Sequence, residues 1–245
     1  MAVCRRGKYK VRAFSLIEMS IVLVVVGLIV GGIIGGRELI KSAEIRGVVS
    51  KLDQYHIAIN NFVDTYSGLP GDMPNAMDYW STSCFDLPSR PCNGNGSGFV
   101  ETGATLWTRE PAKVWHHLGL ANIIPNHYSG NEGGGPTHYE AGPGMSLPLG
   151  ATKNSSILYR EYQGSNVLMY LSNPTDWSGQ GRLSGLEAYK VDKKMDDGDM
   201  LTGKIKARRF WMLASGCHTG VDNSAVYDLE DDSSESCVLM YPTSF

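Results

Sequence analysis

Four carboxylates lie close together at Asp192, Asp196, Asp197 and Asp199, with Gly198 among them. Acids around a glycine turn offer the hard oxygen ligands of which Ca2+ takes about six to eight. The spacing is not that of an EF-hand, and Lys193 and Lys194 oppose the accumulation of charge. An Asx-type turn between a helix and a strand is the plainer reading of the same residues. Calcium is the only cofactor the chain suggests. A nucleophile elbow is not complete: residues 144–148 read Gly-Met-Ser-Leu-Pro, with Pro148 where a final glycine is required. There is no phosphate-binding glycine loop of the G-x4-G-K-[ST] kind. His116 and His117 are adjacent, so on a helix they point about 100° apart and do not chelate together. Trp115, Trp177 and Trp211 suit core or loop packing. These residues predict no enzyme.

The remaining residue with chemistry to explain is Glu18, which enters a long apolar block. Residues 19–36 (MSIVLVVVGLIVGGIIGG) run for 18 positions without a charge. As a helix they span roughly 27 Å, close to the thickness of a bilayer core. An ionisable group at the edge of such a span is costly and is a functional candidate by default. All five basic residues of the first 13 (Arg5, Arg6, Lys8, Lys10, Arg12) precede the block, and no acid accompanies them. The positive-inside rule therefore puts residues 1–13 in the cytoplasm and the chain beyond Arg37 outside. A secretory signal peptide has a shorter apolar region and a small-residue cleavage site after it. Here the helical pattern continues, so a lasting anchor is expected.

Overall the 245 residues carry a formal charge of −3. Without the five leader cations, 17 basic side chains stand against 25 acidic ones, a balance of −8 for residues 14–245. That balance argues against a general nucleic-acid partner. Cys84, Cys92, Cys217 and Cys237 lie beyond the membrane block, where four cysteines allow three pairings. The expected pairs are those nearest in sequence, Cys84–Cys92 and Cys217–Cys237. By loop entropy they would contribute roughly 2.5 and 3.3 kcal/mol. Free buried thiols are the alternative.

The junction Lys10-Val11-Arg12-Ala13-Phe14-Ser15-Leu16-Ile17-Glu18-Met19 resembles the class III leader signal of type IV prepilins and type II secretion pseudopilins. The family usually has Gly where this chain has Ala13. The resemblance implies that a prepilin peptidase cuts between Ala13 and Phe14 and N-methylates Phe14. It further implies that Glu18 pairs with the amine of a neighbouring subunit and sets the stagger of a filament. The alternative reading is that Glu18 serves its own helix N-terminus. Three further stretches are similar to long-headed prepilins: 62–76 (FVDTYSGLPGDMPNA), 110–125 (EPAKVWHHLGLANIIP) and 187–207 (EAYKVDKKMDDGDMLTGKIKA).

The elements that carry these residues follow from periodicity. Ile45, Val48, Val49, Leu52, Tyr55, Ile59, Phe62, Val63 and Tyr66 recur at three- and four-residue spacing. With the apolar block they predict one helix over 14–66, membrane-spanning over about 19–36, stopped by Gly68 and Pro70. Residues 110–124 and 183–190 read as short helices, and 166–171, 205–213 and 238–241 as strands. Residues 94–150 are rich in glycine and proline and read as loops. The expectation is an α+β, pilin-like lollipop: a cleaved leader (1–13), a long helix (14–66), and a loop-rich periplasmic head (67–245) with a small antiparallel sheet. By resemblance its partners are prepilin peptidase, other pilin or pseudopilin subunits and the lipid of a bacterial inner membrane. A permanently anchored binding module that never polymerises is the main alternative. Pilus, secretion pseudopilus and DNA-uptake systems are not distinguished by these residues.

Overall fold

The structure, a computed structural model, describes residues 15–87, 90–102, 110–130, 145–172, 181–209, 216–220, 225–230 and 236–243. The protein is α+β. It divides into two compact units, residues 1–43 and 44–245.

Helix α1 (Leu16–Tyr66) is continuous for 51 residues. In the first unit its apolar side chains are exposed, Leu16 to 91%. In the second unit Ile45, Val48, Leu52, Tyr55, Ile59 and Phe62 form one buried stripe at spacings of three and four. Burying each such side chain contributes about 1.5–3 kcal/mol, so this half of the helix is held by packing. The helix ends at Ser67, whose backbone is left-handed (φ 55°) and whose N–H still donates to Val63 O at 2.8 Å.

A short helix α2 (Ala76–Trp80), a 3-10 turn (Ser81–Cys84) and a small ribbon of β1 (Phe85–Leu87) with β2 (Arg90–Pro91) follow. Helix α3 (Glu110–Leu120) is shorter at its end than the pattern over 110–124 predicts. There Asn122 adopts positive φ and the N–H groups of Ile123 and Ile124 bond back to Leu118 O. Trp115 is buried beside Tyr55, their rings meeting edge to face at 5.0 Å.

The main sheet has four antiparallel strands in the order β3-β4-β8-β5. They are β3 (Ser155–Tyr162), β4 (Ser165–Ser172), β5 (Lys206–Arg209) and β8 (Cys237–Pro242). β4 and β8 extend the predicted strands by a residue or so at each end. β5 covers 206–209, and the rest of the predicted 205–213 strand lies outside the described residues. β3 has no counterpart among the predicted elements. It is joined to β4 by a two-residue turn in which Gln163 (φ 52°) and Gly164 (φ 78°) are both left-handed. That geometry matches the right-handed twist of a hairpin. The sheet meets α1 where the Tyr241 ring stacks on His56 at 4.6 Å.

Helix α4 (Gly185–Met195) starts two residues later than predicted because Ser184 is its N-cap. The Ser184 side chain accepts from the Glu187 N–H, and Glu187 accepts from the Ser184 N–H, a reciprocal capping box. A two-stranded ribbon of β6 (His218–Thr219) and β7 (Val226–Tyr227) completes the described elements.

Candidate functional site

The described chain enters helix α1 at Ser15. Its Oγ accepts from the Ile17 N–H at 3.4 Å, and its own N–H donates to Glu18 Oε2 at 2.9 Å. Ser-x-x-Glu is therefore a capping pair: the acid that stands at the mouth of the apolar block is used by its own helix N-terminus. Neither Ser15 nor the Ser-x-x-Glu spacing was singled out in the sequence, although it is the usual signature of such a cap. Ala13 and Phe14 lie outside the described residues. Helix α1 contains an 18-residue apolar window of mean hydropathy 2.6, none of it buried among the described residues, long enough to cross a membrane. A Cβ placed at Gly27, Gly31, Gly32, Gly35 or Gly36 would meet nothing within 4 Å. Gly27, Gly31 and Gly35 recur every four residues, as do Gly32 and Gly36 one face over, and no described residue covers either row, so a neighbouring helix could approach closely there.

Two of the three stretches quoted above, 62–76 and 110–125, meet each other at the far end of α1. His117 on α3 is fully buried; its Nδ1 accepts from the Gly71 N–H and its Nε2 donates to Cys92 O, both at 2.9 Å. Those bonds assign the Nε2-protonated tautomer. Burial pushes its pKa down to about 3. Gly71 has φ +88°, and a Cβ there would sit 2.7 Å from Val114 Cγ2. Only glycine fits this crossing. Next to it, the buried Asp72 carboxylate accepts from the N–H groups of Gly96 (2.7 Å), Ser97 (3.0 Å) and Gly98 (2.7 Å). The Gly94-Asn-Gly-Ser-Gly98 run is a backbone nest filled by the protein's own acid. Glu110, 1% exposed, accepts from the N–H groups of Asn95 and Glu101, both at 2.9 Å. Lys113 Nζ donates to Asn93 O at 2.7 Å. The sequence signal for this clasp was the glycine run, read above only as loop.

His116 points elsewhere, its Nδ1 2.6 Å from Tyr128 O, so the adjacent histidines do not converge. Ser146 of the incomplete elbow is buried. Trp177 and Trp211 lie outside the described residues.

The third stretch forms the acidic loop after α4. Oxygen atoms of Asp192, Asp196 and Asp197 come within 4.8 Å of one another. Asp192 is buried; its Oδ2 accepts from the Tyr227 hydroxyl at 2.7 Å and its Oδ1 from the Gly198 N–H at 3.3 Å. Asp196 Oδ2 accepts from the N–H groups of Lys204 and Ile205. Asp197 accepts from the Asp199 N–H and the Thr202 hydroxyl, both at 2.8 Å, which lowers its pKa. Asp199 instead accepts from the Leu201 N–H at 3.0 Å. Successive Asx turns thus shape the loop. Burial raises the pKa of Asp192 to about 6. The donor set suits Ca2+ in kind, with three converging carboxylates against the six or so oxygens that the ion takes. Lys193 is drawn aside, its Nζ donating to Tyr189 Oη at 3.0 Å.

Cys84 is bonded to Cys92 and Cys217 to Cys237, with Cα separations of 5.2 and 4.9 Å. The first bridge ties the 3-10 turn to Cys92, the residue just after β2, whose carbonyl accepts from His117. The second ties the residue before β6 to the central strand β8. Comparisons with family models, with curated proteins and with solved structures return no match to this chain.

Proposed function

We propose that the chain is a structural subunit of a type IV pilus or type II secretion pseudopilus, assembled through its N-terminal helix. Prepilin peptidase removes residues 1–13 on the cytoplasmic side and methylates Phe14; the apolar half of α1 first holds the subunit in the inner membrane, with the head in the periplasm. The observation that carries this reading is the combination found in one helix. A first-turn acid, Glu18, leads into an apolar span that is not buried against any described residue, and residues 45–62 of the same helix supply a buried stripe to the core of the head. So large an exposed apolar surface requires lipid or other helices around it. A helix that is anchor at one end and core at the other links each subunit's membrane segment directly to its head.

A second reading, a permanently anchored periplasmic module, draws support from the Ser15–Glu18 bond, since that acid already has a partner. Mass spectrometry of the N-terminus of membrane-extracted protein tests the first reading. The expected result is a chain that begins at methylated Phe14. An intact Met1 would overturn it. Shearing then separates the two readings, because assembled subunits pellet as filaments and a lone anchor stays in detergent micelles.

A further inference from the structure

The head carries a groove that none of the residues discussed so far uses. Cross-strand partners share a face, and side chains alternate along each strand. The pairs Tyr162↔Ser165, Val167↔Pro242 and Met240↔Lys206 therefore put these residues, with Arg208, on one face of the sheet. β3 and β5 are the two outer strands, yet the Arg208 guanidinium donates through Nη1 to the Tyr162 hydroxyl at 2.8 Å. Its central carbon lies 5.8 Å from the Tyr162 ring centre. The two long side chains thus form an arch over the face of β4 and β8, from one outer strand to the other. The groove there has a volume of about 300 Å3, with Val167 and Met240 (3% and 5% exposed) among the residues that line it. Gln163, Ser165 and Lys206 add an amide, a hydroxyl and a second cation.

Charge and hydrogen bonding narrow the occupant. No acid lines the groove, although residues 14–245 as a whole are strongly acidic. Among the described residues neither Lys206 nor Arg208 is paired with a carboxylate; Arg208 is held by a phenol, which leaves its charge uncompensated. A guanidinium offers five N–H donors, and one bond to Tyr162 leaves others for a ligand. An extended peptide would bind most simply by adding to the edge of β5. There the Ala207 N–H already donates to Met200 O at 3.2 Å. Recognition falls instead to side chains that give and take hydrogen bonds around an aromatic ring, a lining suited to a ligand rich in hydroxyls. A volume near 300 Å3 is at the small end for ligand clefts and suits one or two sugar rings.

We propose that this groove binds an acidic saccharide, with Arg208 and Lys206 on a sugar carboxylate and Gln163 and Ser165 on ring hydroxyls. The site does not depend on whether the chain polymerises.

The test is isothermal titration of the full chain in detergent micelles with tetragalacturonate, beside maltotetraose, tetraglutamate and inorganic phosphate. Tetragalacturonate should bind, more weakly as salt rises. Arg208→Gln and Lys206→Gln should each weaken binding about tenfold, the scale expected for loss of a charged hydrogen bond. Lys206 is exposed, so its variant keeps the test decisive if Arg208→Gln disturbs the arch; unchanged melting of Lys206→Gln verifies the fold. Absence of tetragalacturonate binding, or equal affinity for maltotetraose, would overturn the proposal. So would tetraglutamate or phosphate binding as tightly, which would mark a site for acidic peptides or for simple anions. Indifference of the affinity to both substitutions would place any binding elsewhere.

Discussion

Glu110 Oε1 accepts the backbone N–H of Asn95 at 2.9 Å, from a carboxyl group that is almost wholly shielded from water. Burial, with the Asp72 carboxylate nearby, raises its pKa to about 7, against the opposing effect of its two N–H donors and of Lys113. A carboxyl that holds its proton more tightly when folded than when unfolded makes the folded state bind more protons between about pH 4.5 and 7. Its contribution to stability therefore grows as pH falls through 7 and shrinks as pH rises through it. In thermal melts of detergent-solubilised protein, the wild type should gain on Glu110→Gln as pH is lowered from 8 to 5. A melting difference that stays constant over that range would contradict the assignment.

His117 should show the opposite sign. Its pKa is pushed down to about 3 by burial, so the unfolded chain takes up a proton below 6.5 that the folded chain refuses. Stability from this residue is full above 6.5 and drains away as pH falls below it. His117→Phe strands the Gly71 N–H and the Cys92 carbonyl and should cost about 2–5 kcal/mol at pH 8. Urea melts at pH 8 and pH 5.5 should show the smaller penalty at the lower pH.

The acidic loop predicts a graded response to calcium. If three carboxylates complete a site, millimolar CaCl2 should raise the melting temperature of the wild type and leave that of Asp196→Asn/Asp197→Asn unchanged. Magnesium should do less, because it demands a tighter octahedron and dehydrates reluctantly. No shift with calcium would mean that the loop is held by its Asx turns alone.

Glu18→Ala should separate insertion from assembly. The substitution removes a carboxylate from the edge of the span, so membrane insertion should be undiminished. Loss of the cap should cost the helix about 0.5–1 kcal/mol, too little to unfold α1. Under the proposed function, sheared filaments should lack the variant. Normal incorporation would refute a role for Glu18 in register.

Opening the bridges tests their worth separately. Replacing Cys217 and Cys237 by serine should destabilise the head by about 3 kcal/mol, and the same change at Cys84 and Cys92 by about 2.5 kcal/mol. Denaturant midpoints of the two double variants should rank in that order.

Long-period features were legible in the sequence. The stripe from Ile45 to Phe62 repeats over many turns, so its signal accumulates, and the stop at Gly68 and Pro70 lies just beyond the observed helix end. The cysteine pairs close short loops, where proximity in sequence is a fair guide to proximity in space. Strand β3 was missed because Ser155–Tyr162 shows no clean alternation, and its turn is Gln163-Gly164 rather than the familiar Asn-Gly. The clasp at Asp72 and Glu110 was missed for another reason. Its ligands are backbone N–H groups, which every residue has, so the glycine run that carries them reads in the sequence only as loop. The Tyr162–Arg208 arch joins residues 46 apart on the two outer strands of a sheet, and only the order of the folded strands sets them facing each other.

The bond from the Ser15 N–H to Glu18 has a consequence for how such a helix could change partners. A free carboxylate beside lipid would be a reactive end, ready to seize any cation that drifted past. Here that end is blunted by its own backbone, and a newcomer gains only the difference between what it offers and what it displaces. A polarised amide is easily outbid by a full positive charge and poorly outbid by a neutral donor. Under the proposed function, such a tip would discriminate among partners by charge, and exchange at it would be readily reversed.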